Sequence, residues 1–176
     1  LEELPAVLNH CGLVNPILFG HSDGGSIALI YAAHHPVRAL ISAAAHVFVE
    51  EVTLAGIRAA VEVWHKTDLP QRLAKYHGEK TEQTFFAWAD TWQRAPFPDW
   101  NIEPLLADIR CPSLIIQGAE DEYGSADQVE AICRQVSGSS TPLLIPGCAH
   151  IPHLQAPAAV LAAMSDFLAG HGIGCI

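Results

Sequence analysis

Pro16-Ile17-Leu18-Phe19-Gly20-His21-Ser22-Asp23-Gly24-Gly25 runs from a short apolar stretch, through a glycine-rich turn, into the helix-like Ser26 to Ala33. A Gly-x-Ser-x-Gly string is weak by itself, and its setting between a strand and a helix gives it meaning. A serine in so tight a turn is forced toward a strained backbone conformation, and small neighbours two residues away, Gly20 and Gly24, let the turn close. The helix that follows aims its first amides and the positive end of its dipole at the serine, where negative charge on an oxygen would be stabilised. The competing reading is a glycine-rich turn without chemistry.

Outward from this turn the same pattern recurs, a short apolar run and then a helix-like stretch. Pro16 to Gly20 precedes Gly25 to His34; Val37 to Ala43 follows; Pro112 to Gln117 precedes Ser125 to Val136; and Pro142 to Ile145 precedes Pro157 to Ala169. Such alternation predicts an α/β fold with a parallel sheet whose strands are buried on both faces. A helix is also expected over Leu1 to Cys11. Between Val47 and Arg110 lie most of the charged residues and all four tryptophans. Here a helix is expected from Asp68 or Leu69, with Pro70 in its first turn and Gly78 just past its end. Thr81 is expected to cap the next helix, which places Phe85, Trp88, Ala89 and Trp92 on one face. That stripe either packs onto the sheet domain or forms the underside of a helical lid over a substrate pocket. The expected division is a core over 1–46, a helical lid over 47–104 and the rest of the core over 105–176.

Composition bounds the function. The 176 residues carry a formal charge of −10, half are hydrophobic and 16% are charged, so the chain expects to bury a core rather than remain disordered. With no Lys/Arg cluster, neither nucleic acid nor an anionic membrane surface is an expected partner. Leu1 to Val14, with Glu2 and Glu3, lacks the basic start of a secretion signal. The charge-free run Gln135 to Ser165 is broken by Pro142, Pro146, Pro152 and Pro157 and is not one membrane helix. Cys11, Cys111, Cys133, Cys148 and Cys175 form no CxxC pair and read as reduced thiols of a cytoplasmic protein. No GxxxxGK or GxGxxG loop suggests a nucleotide, and His150 with His153 has no third ligand at metal spacing, so neither cofactor nor metal is expected.

A serine hydroxyl needs a base to become a nucleophile, and the base needs an orienting acid. After Leu114 to Gln117 comes Gly118-Ala119-Glu120-Asp121-Glu122, and after Leu143 to Ile145 comes Pro146-Gly147-Cys148-Ala149-His150. Residues at the carboxyl ends of parallel strands converge on one sheet edge, and the order serine, acid, histidine is that of one hydrolase architecture. On these motifs the sequence resembles the α/β-hydrolase superfamily over nearly its whole length, and most closely its small esterases with a short helical lid, including those acting on amino-acid esters. The resemblance implies Ser22 as nucleophile, Asp121 as acid, in preference to Glu120 or Glu122, and His150 as base. It implies the Asp23 backbone amide as one oxyanion donor. The Asp23 carboxylate either binds a cationic amino group of the substrate or caps the helix, and Trp88 and Trp92 are candidate substrate contacts. His21 is expected to orient the turn. His10, His34, His35, His46, His65, His77 and His171 read as surface or packing residues, and Cys148 as a small buried hydrophobe.

The expected reaction is two-step acyl transfer on a small-molecule ester of small to medium size and apolar character. Alternatives are a lactone or carbon-carbon bond hydrolase on the same triad, or a non-catalytic ligand-binding member of the fold. Three departures from the family pattern bear on loop geometry: Glu122-Tyr123-Gly124 without the usual proline, Ala149 where glycine is common, and Gln155 where glutamate is common. The second oxyanion donor comes in this family from a loop after an earlier strand and is expected to be absent from this chain. The strand at 16–20 is then an edge, open to the missing N-terminal half of the fold or to another chain. The polypeptide alone is expected to be inactive or poorly soluble.

Overall fold

Short runs of Leu, Ile, Val and Ala make strands here because each is too short for a stable helix and is bounded by Pro, Gly or polar residues. The structure, a computed structural model, describes residues 2–174. In chain order the elements are α1 (Glu3–His10), β1 (Ile17–His21), α2 (Asp23–His34), β2 (Ala39–Ala43), α3 (Glu51–Lys66), α4 (Leu69–His77), α5 (Thr81–Gln93), α6 (Glu103–Leu106), β3 (Ser113–Gly118), α7 (Ala126–Gln135), β4 (Ser140–Ile145), α8 (Pro152–Gln155) and α9 (Pro157–Gly170). They fall into two compact units, one made of the residues up to Phe48 and from Asn101 onward, the other of Val49–Trp100.

In the first unit the strands form a wholly parallel sheet in the order β1-β2-β3-β4. Gly20 pairs with Ser42, Ser42 with Ile115 and Ile115 with Pro142, so the carboxyl ends of β1 and β3 open on the same edge. One face packs Ala39, Ile41, Leu114 and Ile116 against Val160 and Phe167 of α9. On the other, α2 and α7 bring Leu29 and Ile132, both fully buried, toward the sheet. Burial on both faces holds for β2 and β3, whose residues are all buried, but not for the outer strands. Ile17 and Phe19 of β1 are 40% and 46% exposed, and Thr141, Pro142 and Leu144 of β4 are exposed as well. An outermost strand has a neighbour on one side only; exposure alternates along β1, which α2 covers on one face while α9 packs on β3 and β4.

Val49–Trp100 is helical. Pro70 lies in the first turn of α4, and Gly78, with φ of +54°, ends it. Thr81 differs from expectation: it is the first residue of α5, with its hydroxyl donating to the Gly78 carbonyl at 2.6 Å. A 3₁₀ turn over Gly78–Lys80 runs straight into α5, leaving no break for an N-cap to fill. The aromatic stripe packs within this unit, Phe85 stacked on Trp64 at 4.3 Å between ring centres and Trp92 edge-on to Phe97 and Trp100. Where the chain leaves and re-enters the first unit, Phe48 and Asn101 form an antiparallel bridge, and the Ile102 amide donates to Val47 at 2.7 Å. Gln128 of α7 holds the same point, accepting from the Val47 amide and donating to the Phe48 carbonyl. Among the described residues no helix is long and apolar enough to cross a membrane. Cys11, Cys111, Cys133 and Cys148 are free thiols; Cys175 lies outside the described residues.

Candidate active site

Ser22 stands between β1 and α2 with φ 55° and ψ −126°, a conformation an L-residue adopts only when its surroundings enforce it. The Ser22 amide donates to the Ala43 carbonyl at 2.9 Å, extending the β1–β2 ladder by one bond. Its carbonyl accepts from the amides of Gly25 and Ser26 at 2.8 and 3.2 Å, starting α2. The chain reverses so sharply that a Cβ on Gly20 would lie 2.2 Å from the Gly24 carbonyl oxygen. One on Gly25 would lie 2.8 Å from the Ala45 Cβ, whereas one on Gly24 would meet nothing within 4 Å. The steric need is therefore at Gly20 and Gly25 and not, as the sequence suggested, at Gly20 and Gly24, because Gly20 abuts the backbone of residue 24 and not its side chain.

The acid and histidine loops fold against each other. The amides of Ala119 and Glu120 donate to the carbonyls of Ile145 and Cys148, each at 2.9 Å. A Cβ on Gly118 would lie 2.1 Å from the Ala149 carbonyl oxygen, so only glycine permits this approach. Asp121, its side chain fully buried, receives the Tyr123 amide on Oδ1 at 2.8 Å and the Gln117 side-chain amide on Oδ2 at 3.1 Å. His150 Nδ1 lies 2.9 Å from both Asp121 oxygens, and His150 Nε2 lies 2.9 Å from Ser22 Oγ. A carboxylate only accepts, so Nδ1 carries the proton, leaving Nε2 to accept from the serine hydroxyl. Glu120 is exposed, and Glu122 accepts the His150 amide on Oε2 at 3.3 Å.

Asp23, exposed, opens α2 directly after Ser22 and carries acidic charge into the first turn. Trp88, half-buried, and Trp92, buried, belong to α5 in the helical unit. His21 Nε2 lies 2.7 Å from the His150 carbonyl oxygen, and its ring is edge-on to His153 at 4.8 Å. Burial holds the His21 pKa below the ordinary histidine value, partly offset by that hydrogen bond. Burial also pushes the Cys148 thiol up, with the charges of Asp121 and Glu120 adding to the effect, so it stays protonated and offers no rival nucleophile. Among the described residues no three His, Cys, Asp or Glu side chains are grouped to hold a metal.

Two site residues, His46 and Gln117, escape sequence reasoning in these roles, while Gln155, singled out there for its bearing on loop geometry, bonds the histidine loop. His46, buried, meets the Tyr123 carbonyl through Nε2 at 2.9 Å, while Ser26 Oγ donates to the His46 carbonyl at 2.7 Å, tying α2 to the acid loop. Burial lowers the His46 pKa. Gln117 also donates to the Gly124 carbonyl at 2.8 Å. Gln155 Oε1 accepts the amides of Ala149 and Ile151, each at 3.1 Å. Of the two that escaped, a signal existed for Gln117, a polar residue ending an otherwise apolar run beside the acid loop.

The model of the Alpha/beta hydrolase family matches residues 1–163. Serine hydrolase BPHL of Homo sapiens is 32% identical over 145 residues, which cover 78% of this chain and 49% of that protein. Its Mus musculus counterpart is 31% identical over 158 residues, covering 86% and 54%. The chain thus spans about half the length of the curated relatives it matches. The crystal structure of proline iminopeptidase from Mycobacterium smegmatis superposes with a TM-score of 0.63 at 20% identity, over 96% of this chain and 70% of that one, a likeness of fold. With the parallel sheet, the strained serine turn and the family match in agreement, this chain belongs to the alpha/beta hydrolase family.

Proposed function

We propose that the protein is a serine hydrolase that cleaves a carboxylic ester, or a related acyl bond, of a small to medium apolar substrate through an acyl-enzyme. The supporting observation is the continuous hydrogen-bond chain from Ser22 Oγ through His150 to the buried Asp121. Ser22 Oγ attacks the carbonyl carbon as its proton passes to His150 Nε2, and Asp121 stabilises the imidazolium that forms. The negative oxygen falls at the start of α2, where the Asp23 amide and the helix dipole favour it. Collapse expels the alcohol, which takes the proton back from His150; water, deprotonated by the same nitrogen, then releases the acid and restores Ser22. The name serine hydrolase carried by the BPHL relatives describes the same chemistry.

The proposal extends to the edge of β1. Its exposed Ile17 and Phe19 suit a further strand, and the relatives are about twice as long, so we assign that edge to additional sheet that also supplies the second oxyanion amide. The free cysteines suit a cytoplasmic location, and the charge of −10 suits a small-molecule substrate rather than nucleic acid.

Fluorophosphonate labelling and p-nitrophenyl ester turnover of the full-length protein, with the additional sheet in place, test the function. Ser22→Ala is expected to abolish both, and Asp121→Asn to lower kcat on the order of 10³- to 10⁴-fold by misorienting His150. Turnover unchanged in Ser22→Ala overturns the assignment.

A further inference from the structure

His21 and Ser22 are consecutive, yet both reach His150, one at its carbonyl and the other at its ring. A carbonyl oxygen only accepts, so His21 donates from Nε2 at 2.7 Å. Across the loop, Gln155 Oε1 takes the amides of Ala149 and Ile151 at 3.1 Å each, and Glu122 takes the amide of His150 itself. Residues 148–150 lie in neither helix nor strand, so no ladder determines where the main chain of His150 sits. Instead, three consecutive amides and one carbonyl are bonded to the side chains of three residues, Gln155 close by in sequence and Glu122 and His21 far from it.

We propose that His21 and Gln155 are positioning residues, a clamp on the main chain of His150 that holds its imidazole between Ser22 and Asp121. The inference rests on Ser22 and His150 acting as nucleophile and base. The clamp touches neither substrate nor reacting atoms; it limits how far the ring swings as the hydroxyl proton moves between Ser22 and His150. Because Ser22 directly follows His21, the last residue of β1, any shift of that strand's end displaces serine and histidine together and preserves their separation. Gln155 bonds the loop from the opposite side, so the two residues oppose different displacements. Proton transfer is sensitive to misplacement of this kind, whereas substrate affinity is not.

Paired substitutions in the full-length protein, with the additional sheet in place, test this. His21→Phe removes the donor and keeps a flat ring, while His21→Gln keeps an N–H at similar reach. Gln155→Leu removes the acceptor, while Gln155→Glu keeps it. The readouts are kcat and KM for a p-nitrophenyl ester and the low-field proton resonance of His150 Nδ1, assigned by its loss in His150→Gln. His21→Phe and Gln155→Leu are expected to lower kcat about tenfold or more, with KM within about twofold, and to broaden the resonance. His21→Gln and Gln155→Glu are expected to recover most of both. Wild-type kcat and an unaltered resonance in the Phe and Leu variants overturn the clamp. So does equal damage in the Gln and Glu variants, which would place the cause in packing. If the full-length wild type neither turns over ester nor takes the fluorophosphonate label, the proposed function fails, and the resonance still decides the clamp.

Discussion

Gly20 and Gly24 flank Ser22 at equal distance in sequence, but the turn requires only the first. Gly20→Ala places a methyl group on a main-chain oxygen and is expected to destabilise the protein by about 3 kcal/mol or more. Gly24→Ala meets open space inside α2 and is expected to stabilise it by about 0.5–1 kcal/mol, since alanine loses less backbone freedom on folding. Denaturant midpoints of the two variants check both signs. The residues of the hydrogen-bonded chain were legible because Ser22, Asp121 and His150 each follow an apolar run at a sheet edge. What separates Asp121 from Glu120 and Glu122 was not, because burial of one carboxylate and exposure of the other two appear only once the loops fold together. The contact of His21 with His150 spans 129 residues, a separation at which local pattern carries no information.

At the scale of elements, the alternation of short apolar runs with helices read correctly as parallel strands and their crossovers. It failed at the margins, in the exposure of β1 and β4 and in the start of α5, where neighbours rather than local sequence decide. The link between α2 and the acid loop is likewise tertiary, and it has a pH signature. His46 and His21 are held neutral in the fold by burial, whereas in the unfolded chain they bind protons below the ordinary histidine value of 6.5. As pH falls through that value the unfolded state gains protons first, so stability is expected to decline with acidification from there down. Glu103, lowered by its hydrogen bonds to Asn101 and Gln135, acts in a separate window below the ordinary carboxylate value of 4.5. Urea midpoints measured between these two values should fall with pH in the wild type and more shallowly in His46→Gln.

For the whole molecule, the consequence of the open edge is association. Ile17 and Phe19 sit on a strand with hydrogen-bonding partners on one side only, the arrangement that invites pairing with another chain. The wild-type chain is expected to associate with rising concentration in sedimentation experiments, and an Ile17→Lys/Phe19→Lys variant to remain smaller because charge blocks the approach. Associated species in equal amount in both would place the contact elsewhere.

The bridge between Phe48 and Asn101 brings the two ends of Val49–Trp100 to the spacing of a strand pair, about 5 Å. The same point is held by the bonds of Val47, Phe48, Ile102 and Gln128, all of them residues of the first unit. A tight turn joining Phe48 to Asn101 is therefore expected to leave the strand order intact, which the far-ultraviolet circular dichroism of a variant lacking residues 49–100 checks.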